Sequence, residues 1–305
     1  MKISELTTVQ LKRLLRRGDL VLKLGPLVAK IKTNVPVLSR DIALMYADFE
    51  VGKKDDFADF HVEVAYEEGL RRWLKPQVRF FFDGRPSFIP LPHAQAFAML
   101  EWGLNWCIAA HCHQYLIIHA AVIEKDGKAV IMPAPPGSGK STLSTGLVMR
   151  GWRLLSDELA LYDIETGLIY GMSRPVNLKN RSIKIIKEFA IDAVLTEPMP
   201  DTTKGTVALM RPPTGSVLRA NEPVLPTWII LPKYVPESLP KLVPHGKALT
   251  FMLIAEQSFN YDIQGKRGFD AIGNLLDKVD CFQFSYSKLD DAERLFSDLV
   301  EGKVC

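Results

Sequence analysis

The stretch Lys128-Ala-Val-Ile-Met-Pro-Ala-Pro-Pro-Gly-Ser-Gly-Lys-Ser-Thr142 joins an apolar run to a Pro/Gly-rich loop and then to a helix-forming segment. A chain with this order runs a strand into a sharp turn and starts a helix near Lys140, the frame of a phosphate-binding loop. Small residues let backbone N–H groups turn inward around an anion, and the helix N-terminus favours negative charge. The spacing assigns nucleotide phosphates to Pro136, Gly137, Ser138, Gly139, Lys140, Ser141 and Thr142. Lys140 is the mobile cation for the outer phosphates, and the Ser141 hydroxyl is a ligand for Mg²⁺. Where Gly-x-x-x-x-Gly-Lys-Ser/Thr asks for its first glycine the chain has Ala134, and Pro135 and Pro136 stiffen the entrance. The last four residues of the motif carry the phosphate contacts, so it reads as a working variant.

At 305 residues and 47% hydrophobic composition the chain can bury a full core as one large or two modest domains. A net charge of +3 supplies no concentrated basic footprint, so neither a nucleic acid nor a membrane surface is an expected partner. Cys107, Cys112, Cys281 and Cys305 show no CxxC spacing, and no apolar core of a secretory signal follows Met1. A reducing cytoplasm is the simplest expectation. The most apolar stretch, Ala94 to Ile118, is interrupted by Glu101, Asn105, His111, His113 and Gln114, which fits a buried helix better than a lipid span.

Residues 8 to 18 read as a helix, with Thr7 or Thr8 as N-cap and Gly18 as the stop. Short β-type runs follow at 20–24, 27–31, 61–66 and 78–82, which makes residues 1–92 a β-rich front end. From His93 a long helix begins, and 93–305 is expected to form the phosphate-loop core. A hairpin, 115–123 with 128–132, feeds the loop; the helix 141–149 and the strand 152–156 follow. The Pro-rich zone from Glu197 to Pro244 is expected to be loops broken by one strand, 227–231. A helix at about 268–278, a strand 281–286 and a helix 290–301 close the chain.

What is done to a nucleotide depends on residues at fixed distances from the loop. Seventeen residues after Lys140, at a strand end, come Asp157 and Glu158, which can hold Mg²⁺ or take a proton from an attacking hydroxyl. Twenty-one residues before Lys140, His119 sits in the apolar run Leu116-Ile-Ile-His-Ala-Ala-Val122. A histidine in such a run is commonly a core residue; the loop and the acidic pair around it favour a role at the site.

The segment His119-Ala-Ala-Val-Ile123, Ala134-Pro-Pro-Gly-Ser-Gly-Lys-Ser-Thr142 and Arg150-Gly-Trp-Arg-Leu-Leu-Ser-Asp-Glu158 resembles the catalytic core of the bacterial HPr kinase/phosphorylase family. That family has a histidine strand, a phosphate loop, an Arg-Gly-His-Arg-Leu stretch and an acidic pair in this order. The match is specific over about 45 residues. The front end does not resemble the family's regulatory N-terminal domain, so the chain looks like a member of the broader HPr-kinase-related group, which includes kinases of ribosomally made peptides. The resemblance implies an α/β fold, a P-loop kinase core of the HPr kinase and carboxykinase-like type with a mixed sheet and flanking helices. It implies that Asp157 accepts the substrate hydroxyl proton, that Asp157 and Glu158 together with Ser141 attend Mg²⁺, and that His119 orients Asp157. Where the family usually has Asp-Asp, this chain has Asp157-Glu158. The family also tends to form rings, so a homo-oligomer is implied.

Phosphoryl transfer needs positive charge to steady the equatorial oxygens. Among loop residues beside Gly or Pro, Arg174 and Lys204 are preferred over Lys179 and Arg211 because both follow strand or turn signals after the acidic pair. The expected activity is an ATP-dependent kinase acting on a hydroxyl, Ser or Thr, of a protein or peptide. The alternative is a non-catalytic nucleotide-binding regulator or scaffold. A nucleotide-dependent carboxykinase would need a longer chain and a cluster for a second metal.

Overall fold

The computed structural model describes residues 1–69, 74–135 and 137–303. From the N-terminus, α1 (Thr8–Arg17) precedes β1 (Leu20–Leu24) and β2 (Leu27–Thr33), and α2 (Pro36–Met45) leads to β3 (Phe60–Tyr66), β4 (Gln77–Phe82), β5 (Arg85–Pro86), β6 (Leu91–Pro92) and α3 (Ala96–His111). Next come β7 (Tyr115–Lys125), β8 (Lys128–Pro133), α4 (Lys140–Met149), β9 (Arg153–Ser156), β10 (Leu159–Asp163), β11 (Ile169–Tyr170), β12 (Val176–Lys179) and α5 (Arg181–Phe189). The last third holds β13 (Met199–Thr202), β14 (Gly205–Met210), α6 (Thr214–Leu218), β15 (Pro226–Tyr234), β16 (Lys241–Pro244), α7 (Lys247–Glu256) and α8 (Tyr261–Gln264). It ends with α9 (Lys266–Lys278), β17 (Asp280–Tyr286) and α10 (Leu289–Val300). Mixed sheets with flanking helices make this an α/β protein. Among the described residues no helix is long and apolar enough to cross a membrane.

Two units divide the chain. The first gathers Met1–Ile108, Arg174–Ile183 and Val194–Leu218; the second gathers Ala109–Ser173, Lys184–Ala193 and the chain from Arg219 onward. In the first, β1 to β5 form a sheet in sequence order with β6 added beside β4, and β12-β14-β13 form a second, three-stranded sheet. α1 begins where the Thr7 hydroxyl accepts a hydrogen bond from the Gln10 amide at 3.2 Å and the Gln10 side chain answers the Thr7 amide at 2.8 Å, a reciprocal cap. α2 was not among the expected elements, yet Pro36 stands at its first turn, where a missing N–H costs nothing.

The second unit is built on an eight-stranded mixed sheet, β11-β10-β7-β8-β15-β17-β16, with β9 beside β7. β8, β15 and β17 run parallel; β7 and β16 are antiparallel to their neighbours. Alternation of side chains along each strand sends two sets of residues to opposite faces. Leu116, Ile118, Ala120 and Val122 of β7, with Ile131, Ile229 and Cys281, pack against Ile254 of α7 and Ala271, Ile272, Leu275 and Leu276 of α9. On the other face Phe284 meets Phe296 of α10, ring centroids 5.3 Å apart, and Trp152 meets the same ring at 5.8 Å.

The Pro-rich zone is more ordered than expected: residues 197–244 contain β13, β14, α6, β15 and β16 rather than one strand. The prolines are placed where a strand tolerates them. Pro200 lies in β13, an edge strand. Pro232 lies in β15 beyond its last pair with β8, Ile229 with Ile131. Its nitrogen faces the same side as that of Tyr234, two residues on, so no ladder bond to β8 is lost.

Candidate active site

The loop from Ala134 to Gly139 leaves β8 at Pro133, which pairs with Ala120 of β7. Pro136, expected to contribute to the phosphate site, lies outside the described residues, as does Cys305. Gly137 and Gly139 have φ of 88° and 92°, a region that disfavours any side chain. At Gly137 a Cβ would meet nothing within 4 Å, so that flank of the loop is open. At Gly139 it would lie 2.7 Å from the Tyr286 hydroxyl and 3.1 Å from the Tyr234 Cβ, so glycine is required there by space as well.

The loop is held by its carbonyls. The Tyr234 N–H donates to the Ser138 carbonyl at 2.9 Å, and the Tyr286 hydroxyl donates to the Gly139 carbonyl at 3.0 Å. In a trans peptide the N–H points opposite to the C=O, so bonds that draw these carbonyls toward the strand ends turn the Gly139 and Lys140 amides the other way. Successive amides facing one side make an anion nest. α4 starts there with no side chain on its N-cap residue, Gly139, and its Lys140 amide reaches the Ser138 hydroxyl at a long 3.4 Å. Lys140 is 8% exposed, while Ser138, Ser141 and Thr142 are half-buried. Burial pushes the Tyr286 hydroxyl well above the usual phenol range, so it stays protonated and remains a donor.

β7 arranges the remaining residues. On one edge it pairs with β9, Val122 opposite Ser156, and then with β10, His119 opposite Leu159. The connection Asp157-Glu158 therefore passes beside Ala120 and Ala121, and the Ser156 hydroxyl closes the turn by accepting from the Leu159 amide at 2.9 Å. On the opposite edge Ala120 faces Pro133, the last residue of β8. One strand thus separates the acidic pair from the start of the loop, about 10 Å at two strand spacings. Asp157 is 7% exposed and Glu158 half-buried.

Buried charge pins this register. Arg153 and Glu124 are cross-strand partners on β9 and β7, and their side chains form an ion pair of 2.8 Å. Arg153 also donates to the Glu222 carbonyl at 3.1 Å. Burial lowers the Arg153 pKa and the Glu124 carboxylate opposes that, and removing either partner would leave the other's charge buried without its counterpart.

His119 is half-buried, with its ring 5.7 Å from that of Phe259. Where β8 ends, the same edge of β7 is taken over by 257–260: the His119 N–H donates to the Gln257 carbonyl at 2.7 Å, and His119 Nδ1 lies 3.3 Å from Gln257 Oε1. Gln257 thus fixes both backbone and ring of His119. Neither Gln257 nor the Tyr234 and Tyr286 brace was among the expected site residues. The ends of the parallel strands β15 and β17, where open α/β sheets bind ligands, are the signal that could have pointed to the tyrosines.

Arg174 and Lys204 belong to the first unit. Arg174 is 8% exposed, with its guanidinium 3.5 Å from the Glu101 carboxylate and bonded to Asn105. Glu101 also accepts from the buried Tyr46 hydroxyl, whose pKa burial and then the Glu101 charge raise well above normal. Lys204 is exposed on the turn from β13 to β14, its ammonium 5.1 Å from the Trp102 ring centre. The structure brings together the loop, His119 and the Asp157-Glu158 pair within the second unit.

The donor set suits a magnesium nucleotide: backbone amides and Lys140 for phosphate, with a hydroxyl and two carboxylates as hard oxygen ligands for the ion. No protein-family model matches the chain, and no curated protein matches it. Among solved structures 26 chains match. One is the Hpr(Ser) kinase/phosphatase from Coxiella burnetii, 13% identical, covering 61% of this chain and 95% of that one with a TM-score of 0.28, a distant structural similarity.

Proposed function

We propose that the second unit is a P-loop core of the HPr kinase type and that the chain transfers the γ-phosphoryl group of ATP to a hydroxyl, Ser or Thr, of a protein or peptide. The observation that carries this reading is the placement of a carboxylate pair one strand away from a nest-forming loop, with a histidine in the intervening strand. A protein that only holds a nucleotide can use a carboxylate for Mg²⁺ but has no need of a base for a hydroxyl; phosphoryl transfer to a hydroxyl does need one. The amides of Gly139 and Lys140, the Lys140 ammonium and the Ser141 and Thr142 hydroxyls take the phosphates. Ser141, Asp157 and Glu158 would hold Mg²⁺, which would neutralise phosphate charge when bound. Asp157 receives the proton of the acceptor hydroxyl, and His119, fixed by Gln257, orients that carboxylate. Arg174 and Lys204 are no part of this reading.

Purified protein mixed with labelled ATP, Mg²⁺ and a lysate of its host should label an acceptor. The Asp157→Asn variant should label it at least 100-fold more slowly, in keeping with the loss of a general base. Tight ATP binding with no labelled acceptor in the wild type would favour a nucleotide-dependent regulator over a kinase.

A further inference from the structure

We propose that Tyr234 is the residue on which the nucleotide base stacks. The proposal rests on the nucleotide-binding reading above and locates the part of the ligand that the loop does not hold. Tyr234 is the last residue of β15, its backbone tied to the Ser138 carbonyl at 2.9 Å. Its Cβ stands 3.1 Å from where a Cβ on Gly139 would be, so the side chain leaves from the wall of the loop itself. The ring meets Tyr286 perpendicularly, centroids 5.9 Å apart at 78°, which takes up at most one of its two faces. Yet 49% of the residue is exposed. A large aromatic ring tied at its backbone, with at least one face not met by Tyr286 and about half of the residue exposed, is a platform for a planar ligand.

The two tyrosines divide the task. Tyr286 is buried, stacks on Phe284 and spends its hydroxyl on the Gly139 carbonyl. Tyr234 contributes only its backbone to the loop and keeps its ring for the solvent side. A nucleotide with its phosphates on the amides of the loop carries its base away on a flexible ribose, and β15 ends about one strand spacing, 4.8 Å, from the line of β8. Stacking on an aromatic ring tolerates any base, because every base has a π-face. The structure thus assigns to Tyr234 affinity for the base without a choice between purines.

Calorimetry with ATP and with inorganic tripolyphosphate, each with Mg²⁺, tests this on the full chain. Tyr234→Ala should weaken ATP about tenfold while leaving tripolyphosphate unchanged, and Tyr234→Phe should bind ATP as the wild type does. Intact tripolyphosphate binding also shows that the variant is folded. Equal weakening of both ligands by Tyr234→Ala would make the side chain a brace of the loop and overturn the proposal, as would unchanged ATP affinity. A wild-type protein that binds neither ligand would remove the nucleotide reading itself, and the stacking role with it.

Discussion

Lys140 sits at the first turn of α4, 8% exposed, and its charge is a part of the proposed phosphate site that backbone geometry cannot replace. Hydrogen bonds to charged groups contribute about 1.5–3 kcal/mol each, so Lys140→Ala should weaken ATP binding by roughly 10- to 100-fold in calorimetry. An unchanged affinity would take the loop out of nucleotide binding. The loop, His119 and the acidic pair could be picked out as candidates because each lies in a short local run of sequence. Gln257 and Tyr286 were not. They reach His119 and Gly139 across 138 and 147 residues, and nothing in the sequence near either end names its partner.

Among the elements, α3 shows how one absent side chain sets a packing distance. At Gly103 a Cβ would fall far inside van der Waals contact with the ring of Phe80, a fully buried residue of β4. Gly103→Ala gains about 1 kcal/mol of helix propensity, but overpacking a filled core costs about 1–3 kcal/mol. The expected net result is a lower thermal midpoint, read by circular dichroism; a raised midpoint would mean that the ring has room to move. α1 was legible to its ends, with the N-cap narrowed to Thr7 or Thr8 and Gly18 read as the stop, because such signals act within one helix. β13 was not, because Pro200 reads as a breaker unless the strand is known to lie at an edge; β14 holds no proline and was hidden by the Pro-rich sequence around it. α7, without a cap or stop signal of its own, was also missed; its Ile254 packs in the core of the sheet.

At the scale of the whole molecule, a linear reading draws one boundary near residue 92, whereas the first unit is assembled from three separate stretches of chain. Within it α3 covers the six-stranded sheet: Phe97 stands 6.1 Å from the Tyr46 ring, Glu101 accepts from the Tyr46 hydroxyl, and Gly103 receives Phe80. A fragment of residues 1–92 lacks this cover and would expose Tyr46 and Phe80, so it should show no cooperative melt and should associate through the bare face. A sharp, reversible transition of that fragment would show that the sheet is stable without α3.

β7 is a length standard for the second unit. Its two edges fix the loop at Pro133 and the acidic pair at Ser156, and its side chains alternate with a period of two. One residue inserted between His119 and Val122 would turn His119 to the other face and slide the loop and the carboxylates out of step. Insertions in the turn at Asp126-Gly127, at the far end of the β7–β8 hairpin, would leave the spacing untouched. A change of length is therefore excluded along four residues, His119 to Val122, three of which carry no chemistry of their own.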